Sequence, residues 1–203
     1  MRIVMLWCCL ALLSAAEVAV LKLPSGGLQP QVICDGKGTV HLVYLSGDPA
    51  ASEVFYVQRA VGAVEWSPPL RVNSQPKSAM AMGTVRGAHL ALGREGRVQV
   101  AWLGSAGAQP RPADGSTPML YARLDPGATS FTAQCNLVTT ATGLDGGGSI
   151  AADATGQVHV VWHALAGATE EAGRRVFIAT SMDDGATFAA EQPAQDAPTG
   201  ACA

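Results

Sequence analysis

Charge is scarce in this 203-residue chain: 14% of its residues are Asp, Glu, Lys or Arg, 13 basic against 16 acidic, for a formal net charge of −3. A surface so weakly charged and slightly acidic argues against nucleic acid or an anionic membrane as the main partner, because both are held by clustered Lys and Arg. Apolar runs of membrane-spanning length are missing beyond Leu13. No pair of cysteines has the spacing of metal ligands, no glycine loop is built to cradle a phosphate, and no nucleophile elbow occurs. No metal or cofactor is therefore expected. No segment carries the 3.6-residue apolar stripe of an amphipathic helix either.

The one long apolar stretch is at the start. Arg2 supplies a positive charge, residues 3–13 are apolar, and Ser14-Ala15-Ala16 puts small residues where a signal peptidase cuts. Residues 1–16 read as a secretory signal, so the mature chain (17–203) is expected outside the cytoplasm, secreted or periplasmic, with no membrane partner once the signal is removed. Its loss takes Arg2 away and moves the net charge from −3 to −4. Cys8 and Cys9 leave with it. Cys34, Cys135 and Cys202 remain, an odd number that leaves one unpaired or paired outside the chain. No disulfide is assigned.

What is present is a unit that occurs three times. Its anchors are Gly38-Thr39-Val40-His41-Leu42-Val43-Tyr44, Gly96-Arg97-Val98-Gln99-Val100-Ala101-Trp102 and Gly156-Gln157-Val158-His159-Val160-Val161-Trp162. From Val40 to Val98 the period is 58 residues, and from Val98 to Val158 it is 60. Each unit reads as four strands by period-2 alternation and turn residues. The first predicts strands over 31–34, 39–45, 54–59 and 64–72, the second over 89–92, 97–103, 119–123 and 131–139. The third predicts 149–152, 157–163, 175–181 and a strand starting at 187. Turns at 35–38, 93–96 and 153–156 end in glycine because a tight hairpin needs positive φ there.

Short strands repeating at this length predict all-β propeller blades, over approximately 30–87, 88–146 and 147–199. Residues 17–23 look like a fourth strand whose blade lacks its first three. Roughly 180 mature residues at about 40 to 60 per blade give about three blades, below the usual four to eight. The expectation is a partial β-propeller.

Ser181-Met182-Asp183-Asp184-Gly185-Ala186-Thr187-Phe188 fits the pattern Ser-x-Asp-x-Gly-x-Thr-aromatic. In this the chain resembles the sialidase (neuraminidase) superfamily, whose blades carry this Asp box, or BNR repeat. Degenerate copies occur at 125–131 and 62–66, and the aromatics Trp66, Phe131 and Phe188 each lie 12 residues after Val54, Met119 and Val176. The chemistry of Ser181, Asp183, Gly185, Thr187 and Phe188 is that of a turn: side-chain oxygens bond the local backbone, and glycine takes the left-handed position. These residues read as structural.

The resemblance implies, for a full sialidase, an arginine triad gripping a carboxylate, a Tyr activated by Glu, and an Asp acid/base. The family's Arg-Ile-Pro motif is absent: Arg2-Ile3 is followed by Val4. Catalytic residues are therefore unknown, and whether the protein is an enzyme stays open. On the blade end away from the Asp box, Arg86 and Asp145 precede innermost strands, and His163 follows a second strand with Glu170 and Glu171 nearby. These three are the candidate binders of a polar or anionic ligand. His41 and His159 share a repeat position with no ligating neighbour and read as packing. Three functions remain: a secreted glycosidase of sialidase type completed elsewhere, a non-catalytic propeller binding a glycan or protein ligand, or a product without independent activity.

Overall fold

The computed structural model describes residues 20–83, 86–167 and 171–199. The expected signal, Glu170 and Cys202 lie outside them. In chain order the strands are β1 (Leu28–Cys34), β2 (Val40–Asp48), β3 (Ala51–Arg59), β4 (Leu70–Arg71), β5 (His89–Leu92), β6 (Val98–Leu103), β7 (Met119–Leu124), β8 (Cys135–Asn136), β9 (Thr142–Ala152), β10 (Val158–Leu165), β11 (Arg174–Ser181) and β12 (Gln192–Pro193). They form three four-stranded antiparallel meanders, β1-β2-β3-β4, β5-β6-β7-β8 and β9-β10-β11-β12. β5 lies against both β1 and β9, so the sheets stand side by side with the second in the middle. Among the described residues the fold is all-β, with three propeller-like blades that do not close into a ring.

Local chemistry sets these meanders. Asp35 Oδ1 accepts the N–H groups of Lys37 (2.9 Å) and Thr39 (2.7 Å), and Asp153 Oδ1 does the same for Thr155 (2.8 Å) and Gln157 (3.0 Å). Gly38, Gly96 and Gly156 close the first turn of each unit at φ 79°, 78° and 96°; Gly62, Gly127 and Gly185 close the last at 76°, 78° and 78°. A side chain at these angles would be strained, so the glycines fix where each strand ends.

Packing follows the alternation. Val43, Leu45 and Tyr56 of the first sheet bury against Leu90, Val100 and Trp102 of the second. Ala101, Met119 and Tyr121, on the other face of the second sheet, bury against Val160, Trp162 and Phe177 of the third. β6 is accordingly buried at every position, whereas β10 alternates buried and half-buried residues. Two-sided burial of this kind supplies most of the stabilisation, at about 25 cal/mol per Å² of apolar surface removed from water.

Four expectations need correction. The outer strands do not start at 64, 131 and 187; β4, β8 and β12 begin four residues after Trp66, Phe131 and Phe188 and are two residues long. The aromatics leave the strand path to pack sideways, Phe131 edge-on to Tyr56 at 5.8 Å and Phe188 edge-on to Tyr121 at 4.8 Å. Residues 20–23 form no strand, though Leu23 packs on Leu42, Tyr44 and Val57. β9 starts at Thr142 rather than 149, because β10 runs on to Leu165 and pairs with it across two register irregularities. Asp145 and His163 consequently lie within paired strands, not in loops.

Candidate functional site

The first residues of the innermost strands converge on one end of the sheets. β1 brings Gln29 and Gln31 there, the approach to β5 brings Arg86 and His89, and β9 brings Asp145 with Gly146 to Gly148. Together with His163 of β10 and Thr199 they line a cleft of about 1000 Å³. The structure thus brings all three candidate binders, Arg86, Asp145 and His163, to one place.

Their contacts define what each can offer. Arg86 Nη2 donates to Asp145 Oδ1 at 2.8 Å, and Nη1 reaches Met80 Sδ at 3.6 Å. The same carboxylate oxygen accepts the Gly146 N–H at 2.8 Å. Arg86 and Asp145 are 32% and 48% exposed, so the pair is half-open to solvent and contributes little to stability. Its use is orientation: with one edge fixed by Asp145, the guanidinium keeps other N–H donors for a ligand. His163 pairs in register with Asp145 and with Val176. Its Nε2 lies 3.0 Å from Thr199 Oγ1, whose own proton goes to the Arg174 carbonyl at 3.2 Å. The Thr199 oxygen must therefore accept from His163 Nε2–H, which leaves Nδ1 as the basic nitrogen of the neutral ring. Glu171, named beside His163 in the sequence, is held instead by Arg174 in a two-point pair of 2.6 and 2.8 Å, which keeps its carboxyl below the ordinary range.

Sequence reading missed Gln29 and His89. Gln29 adopts φ 47°, and its amide donates to the Gly83 carbonyl while its Oε1 is buried without a partner among the described residues. Burial pushes His89 below the ordinary histidine range, so it is neutral at pH 7. A signal existed: Gln31, His89 and Ser149 hold the same register position in the three innermost strands, each a polar start to an otherwise apolar run.

The Asp box lies at the opposite end. Asp183 Oδ1 accepts the Thr187 N–H and the Ser181 hydroxyl, each at 2.8 Å, Asp183 Oδ2 takes the Thr187 hydroxyl at 2.6 Å, and Ser181 Oγ accepts the Gly185 N–H at 2.8 Å. Thr187, first by its hydroxyl and then its amide, pulls the Asp183 carboxyl down to about 2. Nothing in that turn is left for chemistry. Its neighbour Asp184, unremarked in the sequence, is 1% exposed and reaches across to the second sheet. There it pairs with Arg97 and accepts from Gln99 Nε2 at 2.9 Å.

No family model matches the sequence, and no curated protein matches it. Solved structures do. A protein of unknown function from Dyadobacter fermentans superposes with a TM-score of 0.55 at 18% identity, over 84% of this chain and 52% of that one. A polysaccharide lyase of family PL25, an ulvan lyase bound to -[GlcA(1-4)Rha3S]-, superposes at 0.51 with 13% identity, over 83% of this chain and 44% of that one. The NanB sialidase from Streptococcus pneumoniae, as its K499G mutant, superposes at 0.50 with 10% identity, over 80% and 23%. The likeness is one of fold. This chain spans about half or less of the length of each of these proteins.

Proposed function

We propose that this is an exported, sialidase-like propeller protein whose cleft at Arg86, Asp145 and His163 binds a glycan, through hydroxyls and one anionic group. The observation that carries the reading is the convergence of those side chains, with Gln29 and His89, at the starts of three innermost strands. Amides, imidazoles and one oriented guanidinium match the alternating donors and acceptors of a saccharide, and Arg86 favours a carboxylate or sulfate upon it. Fold likeness to an ulvan lyase and a sialidase supports a glycan as ligand class by analogy only. Export rests on the signal-like residues 1–16.

Binding is favoured over turnover by this chain alone. None of Tyr44, Tyr56 and Tyr121, the only tyrosines in the sequence, lines the cleft, so a sialidase-type nucleophile would have to come from elsewhere. The test is calorimetric titration with 3′-sialyllactose and with an oligosaccharide of glucuronate and 3-sulfated rhamnose. At least one should bind saturably, and Arg86→Ala should weaken it roughly tenfold or more. No binding of either, or equal affinity in the variant, would overturn the reading. Release of a fluorophore from a sialoside by the chain would move it to the enzyme class.

A further inference from the structure

The Asp-box end holds a second cleft, which a comparison of the two joints between sheets brings out. In the joint between the second and third sheets, the Asp184 carboxylate fills the gap. It sits on Gln99, which also accepts the Tyr121 hydroxyl, and is flanked by Arg97, with Arg94 at 3.7 Å and Arg123 bonding its carbonyl. In the joint between the first and second sheets, strand register maps Gln99 onto His41 and Tyr121 onto Tyr56. In the turns that follow β11 and β7, closed by Ala186 N–H on the Asp183 carbonyl and by Ala128 N–H on the Asp125 carbonyl, the place of Asp184 is taken by Pro126, the latter turn lying one residue nearer its strand. Proline has no polar group to insert, and the gap stays open as a cleft of about 430 Å³, bordered by His41, Tyr56, Gln58, Asp125, Pro126 and Thr129. That is within the range of small-molecule sites, about 300–1,000 Å³.

The groups that would receive a plug are still there. The His41 side chain is 8% exposed, and its Nδ1 lies 2.6 Å from the Tyr56 hydroxyl. Burial, and then the Asp35 carboxylate, push the Tyr56 phenol up to about 12, so it keeps its single proton; of its two acceptors, His41 Nδ1 at 2.6 Å is far closer than Gln58 Oε1 at 3.3 Å and takes it. His41 then carries its proton on Nε2. That nitrogen makes no hydrogen bond among the described residues, although Asp35 Oδ2 lies 3.5 Å away. A buried donor without a good acceptor is costly, and one that borders a cleft invites a ligand oxygen.

The charge pattern says what kind. Arg97 and Arg123, which make the other joint fit for a carboxylate, are replaced in the first sheet by Thr39 and Gln58. Asp35 stands behind His41, and Asp125 on the facing wall already neutralises Arg97 at 2.7 Å. An anion would meet two carboxylates and no free cation. A hydroxyl, by contrast, can accept from His41 Nε2–H while donating to a carboxylate oxygen. Pro68, Leu70 and Pro126 add apolar wall for a C–H face.

We propose that this cleft binds one neutral pyranose unit, with His41 Nε2–H, Gln58 and Asp125 bonding its hydroxyls. The site is independent of the cleft at Arg86, being at the other end of the sheets. The test is a titration of the full chain, with 13C-labelled histidine, by the methyl glycosides of glucose, galactose and mannose, with glucuronic acid as the anionic control. At least one neutral glycoside should shift the His41 ring resonances saturably, leaving His163 unmoved. The shift should be lost in Ala128→Trp or Thr129→Trp, which plug the cleft from its exposed rim, and kept in Arg86→Ala. No saturable His41 shift with any of the three into the tens-of-millimolar range would overturn the proposal. So would a shift that survives both plugging variants in folded protein, or a shift with glucuronic acid alone.

Discussion

Glu191 is 5% exposed, a buried acid held by backbone N–H groups rather than by a cation. Its carboxylate accepts the N–H groups of Thr139, Thr140 and Ala141 at 2.7 to 3.0 Å and the Thr139 hydroxyl, tying the end of the third sheet to the segment that leads into it. Burial alone would raise its pKa, but those donors outweigh it and hold the group below the ordinary glutamate range. Asp183, at about 2, is depressed in the same sense by Thr187 and Ser181. A depressed folded pKa contributes stability that is complete above the unfolded value, about 4 for either residue, and is lost as pH falls through the folded one. Thermal stability should therefore decline gently below about pH 6.5, where the unfolded chain protonates the histidine that burial keeps neutral at His89, and fall steeply toward pH 2 to 3 as the carboxylates protonate. Glu191→Gln should destabilise at pH 7 by about 1.5 to 3 kcal/mol, since the amide turns a donor toward donors, and should shallow the acid slope. A variant with wild-type melting temperature and wild-type acid slope would show that the cluster of N–H groups does not depend on the charge.

At the scale of the element, the first turn of each unit shows how one sheet edits another. Asp35 and Asp153 open their turns with side-chain caps, whereas the second unit has Gly93 at that place. The backbone there, φ −91°, suits any residue. Glycine is needed because a Cβ would run into Asp184 Oδ1 and sit 2.8 Å from Gln99 Nε2. Gly93→Ala should thus cost about 1 to 3 kcal/mol by overpacking. Combined with Asp184→Ala the cost should shrink, because the nearer clashing atom is gone and Gln99, released from Asp184, can swing its amide away; a double mutant whose losses add would sink this account, and denaturant melts of the four proteins decide it. The same element marks the limit of what could be read beforehand. Strand order, the turn glycines and the inward Val158, Val160 and Trp162 were legible, because period and φ preference are local. The start of β9 was not: Gly143 and Gly146 to Gly148 carry no side chains to alternate, so only pairing with β10 reveals a strand. Arg86, Asp145 and His163 were legible as neighbours once the strand order was known, since a meander brings the start of each innermost strand to the end at which the second strand finishes. His89 left one trace, the polar strand start it shares with Gln31 and Ser149, but its neutrality comes from burial; Asp184 left none, because its partners lie some 60 to 90 positions away.

Across the whole molecule the two joints are built differently. Apolar packing is continuous through both, from Val43 against Val100 to Ala101 against Trp162. The second joint adds buried charge: Asp184 on Arg97 and Gln99, and Glu191 on the segment before β9. The first joint has at the matching place a cleft and an unsatisfied His41. Sheets that contact only their neighbours behave as a row of units coupled by interface terms, so weakening one joint should be felt locally first. Asp184→Ala removes one partner of a buried pair, at a cost of about 3 kcal/mol, the low end for such a change because Arg97 keeps Asp125. Native-state hydrogen exchange should register it unevenly. Amides of β10 and β11, such as Val160 and Ile178, should lose protection by roughly a hundredfold, that cost converted at 1.4 kcal/mol per decade. Amides of β2 and β3, such as Val43 and Tyr56, should lose clearly less. Equal losses in all three sheets would mean that they open as one cooperative unit and that the Asp184 contact is not a joint-specific tie.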